Sequence, residues 1–180
     1  QDILERVLPQ IKERVVIARR DIMDVYDLSY QLNKALQPKV WLKCGGYLIV
    51  EHTEALTAID VNTGKFVGER NLDATVLQTN LEAAVELARQ IRLRNLGGII
   101  IVDFIDMKSE ADKQQVLACL EAELKKDRVK TNLFPFTQLG LLEMTRKKNG
   151  PQLADILQKK CPFCNGSGLI LAAETAYLQI

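Results

Sequence analysis

Asp60 and Asp103 are the residues whose placement most suggests chemistry. Each closes an apolar run of strand character, Ala55-Leu-Thr-Ala-Ile59 for the first and Ile99-Ile-Ile-Val102 for the second. The second run is unbroken and aliphatic, which predicts a strand buried on both faces at the centre of a sheet covered by helices. In α/β proteins the carboxyl ends of such strands are where ligands and catalytic groups collect. Two carboxylates brought to one edge suit a hard cation, because Mg²⁺ and Mn²⁺ prefer oxygen ligands and keep several waters. Two aspartates and a substrate phosphate then make a sufficient set. Asn62 follows Asp60 by two positions, so in an extended chain it faces the same side. Its amide can hold a carboxylate or a phosphate oxygen. For a single Asp at a strand end, a turn role is the more frequent one. Asp106, in the turn before the next helix, is read that way.

A second constellation is Cys161-Pro-Phe-Cys164-Asn-Gly-Ser-Gly168. Two cysteines three apart in a turn form half of a tetrahedral zinc site, and zinc needs four donors. Cys44 and Cys119 fall in strand and helix patterns, and His52 is distant. Counting donors favours two chains that each give Cys161 and Cys164 to one shared Zn²⁺. A redox Cys-x-x-Cys and an unmetallated turn are the alternatives.

The elements that must position these groups follow from the periodicity. Residues 1–20 and Asp21–Leu36 have helical spacing, the latter through Leu28, Leu32 and Leu36, and Pro38 closes them. From Lys39 the pattern changes to strands. Val40–Leu42, a Cys44-Gly-Gly46 turn, Tyr47–Val50 and Ala55–Val61 predict an antiparallel meander. Thr79-Asn-Leu-Glu82 reads as a capping box opening a helix with Leu81, Ala84, Val85, Ala88 and Ile91 inward. Gly97-Gly98 leads from it into the central strand, so a right-handed crossover sets the two Asp-bearing strands parallel. A second helix over Ser109–Lys126, short extended segments at Leu133–Phe136 and Leu139–Leu142, and a short helix over Gln152–Lys159 complete the expectation. The fold class is α/β, a mixed sheet flanked by helices, with a C-terminal CxxC zinc hook.

Composition narrows the rest. Of 180 residues, 47% are hydrophobic and 26% charged, and the formal net charge is +1. A nucleic-acid partner would therefore have to be met by locally arranged cations. Lys65, Arg70, Lys130, Arg146 and Lys147 are the candidates for backbone phosphates, taken to lie near the acidic edge. An exposed basic cluster is otherwise only a solvated face. No stretch approaches a membrane span, there is no signal-peptide pattern, and the isolated cysteines suggest a reducing cytoplasm.

Several long motifs, in order, carry a resemblance: TEALTAIDVNTG at 53–64, NLEAAVELARQIRLRNLGGIIIVDFIDM at 80–107, LGLLEMTRKK at 139–148 and CPFCNGSG at 161–168. They resemble the ribonuclease E/G family from about residue 20 to residue 170. The resemblance implies a deoxyribonuclease-I-like catalytic subdomain over 38–158 and a zinc link over 159–170. It also implies that 1–37 is the tail of an RNase-H-like segment and that 171–180 begins a small dimerisation domain. It puts the catalytic Mg²⁺ on Asp60 and Asp103, the supporting asparagine on Asn62, and the inter-subunit Zn²⁺ on Cys161 and Cys164. A family basic residue near the RNA 5′ end falls on Lys130. The family's S1 and 5′-sensor domains have no counterpart ahead of residue 39, so the chain is expected to be a fragment or a reduced relative.

The function so implied is Mg²⁺-dependent hydrolysis of single-stranded RNA by a homodimer, or a higher oligomer built from it. The products would carry a 5′-phosphate and a 3′-hydroxyl. The rival reading is a zinc-linked dimerisation and RNA-binding module with little turnover, since the capture domains are missing. A thiol-redox protein is a third, for which the sequence specifies no groove.

Overall fold

The computed structural model describes residues 19–64 and 72–169. The chain divides after Gln37 into two units. The described residues of the first include the short helices α1 (Ile22–Val25) and α2 (Leu28–Leu36). Asp21 caps α1 by accepting a hydrogen bond from the Met23 amide at 2.9 Å. Where the spacing predicts one helix, Asp27 breaks it by adopting a left-handed conformation with φ 48°. Short polar residues tolerate that region. Gln37, preceding Pro38, is extended and ends α2.

The second unit holds a six-stranded sheet in the order β1-β2-β3-β4-β6-β5. Its strands are β1 (Lys39–Trp41), β2 (Tyr47–His52), β3 (Leu56–Asn62), β4 (Gly98–Asp103), β5 (Thr131–Phe136) and β6 (Leu141–Arg146). The helices are α3 (Leu72–Leu93), α4 (Glu110–Leu124) and α5 (Leu153–Leu157). The meander β1-β2-β3 is antiparallel as its alternation predicts. The α3 crossover then makes β3 and β4 parallel, and β6 returns antiparallel to β4.

One face of the sheet carries the core. Leu48, Ile59, Ile100, Val102, Leu142 and Met144 point there and are almost wholly buried. They meet Ala83, Ala84, Leu87, Ala88 and Ile91 of α3 and Val116 and Leu120 of α4. Each large aliphatic so buried contributes about 1.5–3 kcal/mol. The three alanines bring the α3 backbone close to the strands.

Among the described residues, no helix of this unit covers the opposite face. Ile99 is 50% exposed, and Ile101, Ala58 and Ile49 are half-buried. The aliphatic run of β4 is thus buried on one side, not on both. Its density of isoleucine suggested two covered faces, but alternate residues divide between the core and the open face.

α3 begins well before the apparent capping box. Thr79 is in mid-helix, where its hydroxyl donates to the Thr75 carbonyl at 2.8 Å. Glu82 instead accepts from the Cys44 amide at 2.9 Å and ties the β1–β2 turn to the helix. Val85 is 45% exposed, and Ala83 and Leu87 take the inward positions.

The Gly98 end of the sheet is braced by one buried guanidinium. Arg146 is 4% exposed. Its Nε donates to Asp127 Oδ2 at 2.8 Å, and one terminal nitrogen donates to Asn95 Oδ1 at 3.1 Å and to the Leu96 carbonyl at 2.7 Å. Asn95 also donates to the Asn149 and Pro151 carbonyls. The turn before β4, the turn after α4 and the segment after β6 therefore share one polar knot.

Burial tends to raise the Asp127 carboxyl, but the hydrogen bonds from Arg146 and the Val129 amide, with the nearby guanidinium charges, hold it below its ordinary range. A carboxyl depressed in the folded state stabilises it above the unfolded-state value and loses that contribution as pH falls through the folded value. Asp127→Ala leaves the buried guanidinium uncompensated and is expected to lower stability by about 3–5 kcal/mol. Urea unfolding would measure the loss. Parent stability should decline on acidification below about pH 4, and Asp127→Asn should lack that part of the decline.

Candidate functional site

The parallel register of β3 and β4 sets Asp60 directly opposite Asp103. Both are exposed at the carboxyl ends of their strands, and by alternation both stand on the open face. Two carboxylates on adjacent strands repel each other. Desolvation raises the Asp103 carboxyl above its ordinary range, and the charges of Asp60 and Asp106 raise it further. Asn62, on the same face, donates from Nδ2 to Asp60 Oδ2 at 2.7 Å. That hydrogen bond orients the Asp60 carboxylate.

The turns on either side are fixed. At Gly46 a Cβ would lie 2.7 Å from the Asn62 carbonyl oxygen, so only glycine lets the β1–β2 turn approach the end of β3. Gly64 has φ +65°, and a Cβ there would fall 2.5 Å from the Gly45 carbonyl. Across the site, the wholly buried Asn80 of α3 holds the loop after β4 by both polar atoms. Its Nδ2 donates to the Ile105 carbonyl at 2.8 Å, and its Oδ1 accepts from the Ile105 amide at 3.1 Å. Sequence reading missed Asn80. The signal available was an amide in the inward stripe of an otherwise apolar helix, where it needs buried partners.

Between these turns lies an open cavity of about 320 Å³, lined by Asp60 to Thr63 and by Asp103 to Asp106. Two oxygen donors side by side in water-accessible surroundings fit a hexacoordinate cation that retains most of its waters. Among the described residues, no three His, Cys, Asp or Glu side chains converge on a metal-binding point. Asp106, in the loop after β4, also lines the cavity and adds negative charge there.

The basic candidates separate. Lys65 and Arg70 lie outside the described residues. Lys130 and Lys147 are exposed and adjacent, with the Lys147 amide donating to the Lys130 carbonyl at 3.1 Å. They extend the β5–β6 pairing past Arg146, which pairs with Gly98. That is the far end of β4 from Asp103, roughly 17 Å away at 3.3 Å per residue. The expected closeness of Lys130, Arg146 and Lys147 to the acidic edge is therefore corrected. Arg146 is also withdrawn from the phosphate contacts, because its donors are engaged internally. A cavity of about 440 Å³ between α4 and β5, lined in part by Lys125 and Lys130, belongs to this far end.

Cys161 is exposed and Cys164 partly so. Positive φ at Asn165, Gly166 and Gly168 curls the chain around Cys164. Amide hydrogen bonds from Gly168 and Gly166 hold its thiol below the ordinary range, with a smaller contribution from Cys161. This is a thiolate-favouring turn with two sulfur donors. Cys44 and Cys119 pack at the margin of the core, with Sγ 3.9 Å from Thr79 Oγ1 and from the Leu81 carbonyl respectively. His52 bonds to Thr57 at 3.0 Å.

No helix among the described residues is long and apolar enough to cross a membrane. The Ribonuclease E/G family model matches residues 1–149. Over 162 residues the chain is 51% identical to Ribonuclease G of Escherichia coli (strain K12), covering 90% of this chain and 33% of that protein. Over 182 residues it is 46% identical to Ribonuclease G of Haemophilus influenzae, covering 100% of this chain and 37% of the relative. With Ribonuclease E of Nostoc sp. (strain PCC 7120) it shares 45% over 150 residues, covering 83% of this chain and 22% of the relative. The chain thus spans about a third of the length of the Ribonuclease G proteins that it matches. The family match over residues 1–149 and identity of this extent make the chain a member of the ribonuclease E/G family.

Proposed function

We propose that this chain provides the hydrolytic centre of a Mg²⁺-dependent endoribonuclease acting on single-stranded RNA. The observation that carries the reading is the pairing of Asp60 with Asp103 across parallel strands, where each adds to the other's negative field and, among the described residues, neither has a salt-bridge partner. Family membership supports the reaction class, and the names of the relatives support RNA as the substrate.

Asp60 and Asp103 would hold Mg²⁺ from one side and leave its other positions to water and a phosphate oxygen. The ion, when bound, supplies a nucleophilic water and neutralises charge on the non-bridging oxygens. Asn62 keeps the Asp60 carboxylate in one orientation. Asn80 holds the backbone just beyond Asp103, so that the two carboxylates do not spread under their own repulsion. The raised Asp103 carboxyl matches a group waiting for a cation. Cleavage would leave a 5′-phosphate and a 3′-hydroxyl, as the family resemblance implies.

Lys130 and Lys147, and by sequence Lys65 and Arg70, remain the proposed contacts to the RNA backbone. The distance from Lys130 and Lys147 to the acidic edge suits different nucleotides of one strand. Cys161 and Cys164 would share one Zn²⁺ with their counterparts on a second chain, giving a homodimer. The low Cys164 thiol supports ligation.

Asp103→Asn removes one negative ligand at constant volume. Folding should survive, and Mg²⁺-dependent cleavage of a single-stranded oligoribonucleotide should fall by orders of magnitude. Retention of the parent rate would remove Asp103 from the mechanism. In the parent, activity at limiting Mg²⁺ should fall as pH drops through the raised Asp103 value, and higher Mg²⁺ should shift that limb to lower pH by competing with the proton.

Metal analysis tests the hook. A shared site predicts about one zinc per two chains, lost together with the dimer when both Cys161 and Cys164 are changed to Ser. One zinc per chain with monomeric sedimentation would contradict the shared site.

A further inference from the structure

The open face of the sheet carries an aromatic pair beside the acidic pair, and neither the fold nor the metal site uses it. Trp41 is opposite Tyr47, and Tyr47 is opposite Asn62. The three form a row across β1, β2 and β3. The next row of the same face runs Lys39, Ile49, Asp60, Asp103. Tyr47 is therefore a diagonal neighbour of Asp60, about 7–8 Å away by sheet geometry.

The two rings make an edge contact with centroids 5.3 Å apart. The Lys39 ammonium stands 4.1 Å from the Trp41 ring centre and 3.7 Å from that of Tyr47. A cross-strand aromatic pair contributes modestly to hairpin stability. Here, however, the indole is 60% exposed. Its outer surface is left to water on an edge strand.

We infer that Trp41 and Tyr47, with Lys39 above them, form a stacking subsite for one nucleobase of the single-stranded RNA, about one nucleotide from the phosphate held at Asp60 and Asp103. This rests on the endoribonuclease reading. Aromatic faces bind unpaired bases with little sequence preference, because every base has a π-face. A flat ring surface suits a base, the adjoining ammonium suits that nucleotide's phosphate, and the separation from the carboxylates suits its neighbour. A duplex presents no free base to such a platform, so the subsite also selects for single strands. Trp41 and Tyr47 would act by holding the strand in place, and the hydrolytic groups remain those already named.

Trp41 is the sole tryptophan of the chain, so its fluorescence reports on this position alone. The experiment uses the full chain carrying Asp103→Asn, with binding followed independently by anisotropy of a labelled oligouridylate. Binding should quench Trp41, and an abasic ribose-phosphate strand of equal length should bind without quenching. Adding Trp41→Ala should weaken oligouridylate binding about 5- to 150-fold, the range that base–aromatic stacking supplies. It should change abasic-strand binding less than two-fold. Trp41→Phe should restore most of the affinity, which a merely structural lesion would not do, and circular dichroism would establish that both variants fold. RNA that binds by anisotropy while Trp41 fluorescence stays unchanged would overturn the subsite and leave the nuclease reading standing. Equal affinity of the parent and Trp41→Ala would do the same. No RNA binding at any concentration would overturn both.

Discussion

Everything at the acidic edge depends on the parallel ladder between β3 and β4. Its register places Asp60 level with Asp103. A slip of one residue would turn one carboxylate into the core and its aliphatic neighbour out to water. The core side resists such a slip, since Ile59, Ile100 and Val102 would all have to leave their packing against α3 and α4. Hydrophobic burial on one face thereby fixes a repulsive charge pair on the other. The repulsion is small against the number of buried aliphatics that would have to move.

The loops finish what the ladder begins. Asn80 bonds both polar groups of Ile105, and the close packing at Gly46 sets the end of β3. Neither Asn80 nor Gly46 lines the cavity itself, yet each restrains the backbone beside a carboxylate. A site built this way holds its donors apart by a constant distance before any ligand arrives, which is the condition for pre-organised binding.

Much of this was legible in the chain itself. Alternation gave the meander, the Gly97-Gly98 entry gave β4, and two apolar runs ending in Asp gave the juxtaposed carboxylates. Other features were not legible, for identifiable reasons. Thr79 and Glu82 have the spacing of a helix start, but the same spacing recurs inside helices, and only the Thr75 and Cys44 contacts distinguish the two. Arg146 reads as a surface cation beside Lys147 and Lys148. Its partners Asp127, Asn95 and Leu96 are distant in sequence, so one-dimensional pattern could not reveal its burial. The open face escaped notice because a run of isoleucines carries no mark of which side lacks a cover.

The polar knot at Arg146 has a consequence for how sequences of this fold can change. Its members come from β6, the α3–β4 turn and the segment after α4, and a substitution in one strands the others. At the carboxylate end the interlock is carried by Asn80 and the glycine turns, while Asp60 and Asp103 themselves are exposed. Mutational tolerance is therefore distributed unevenly along the strands. Substitutions at Asp60 and Asp103 change charge at an exposed edge, whereas loss of any one of Asp127, Asn95 and Arg146 leaves buried polar groups of the others without a partner.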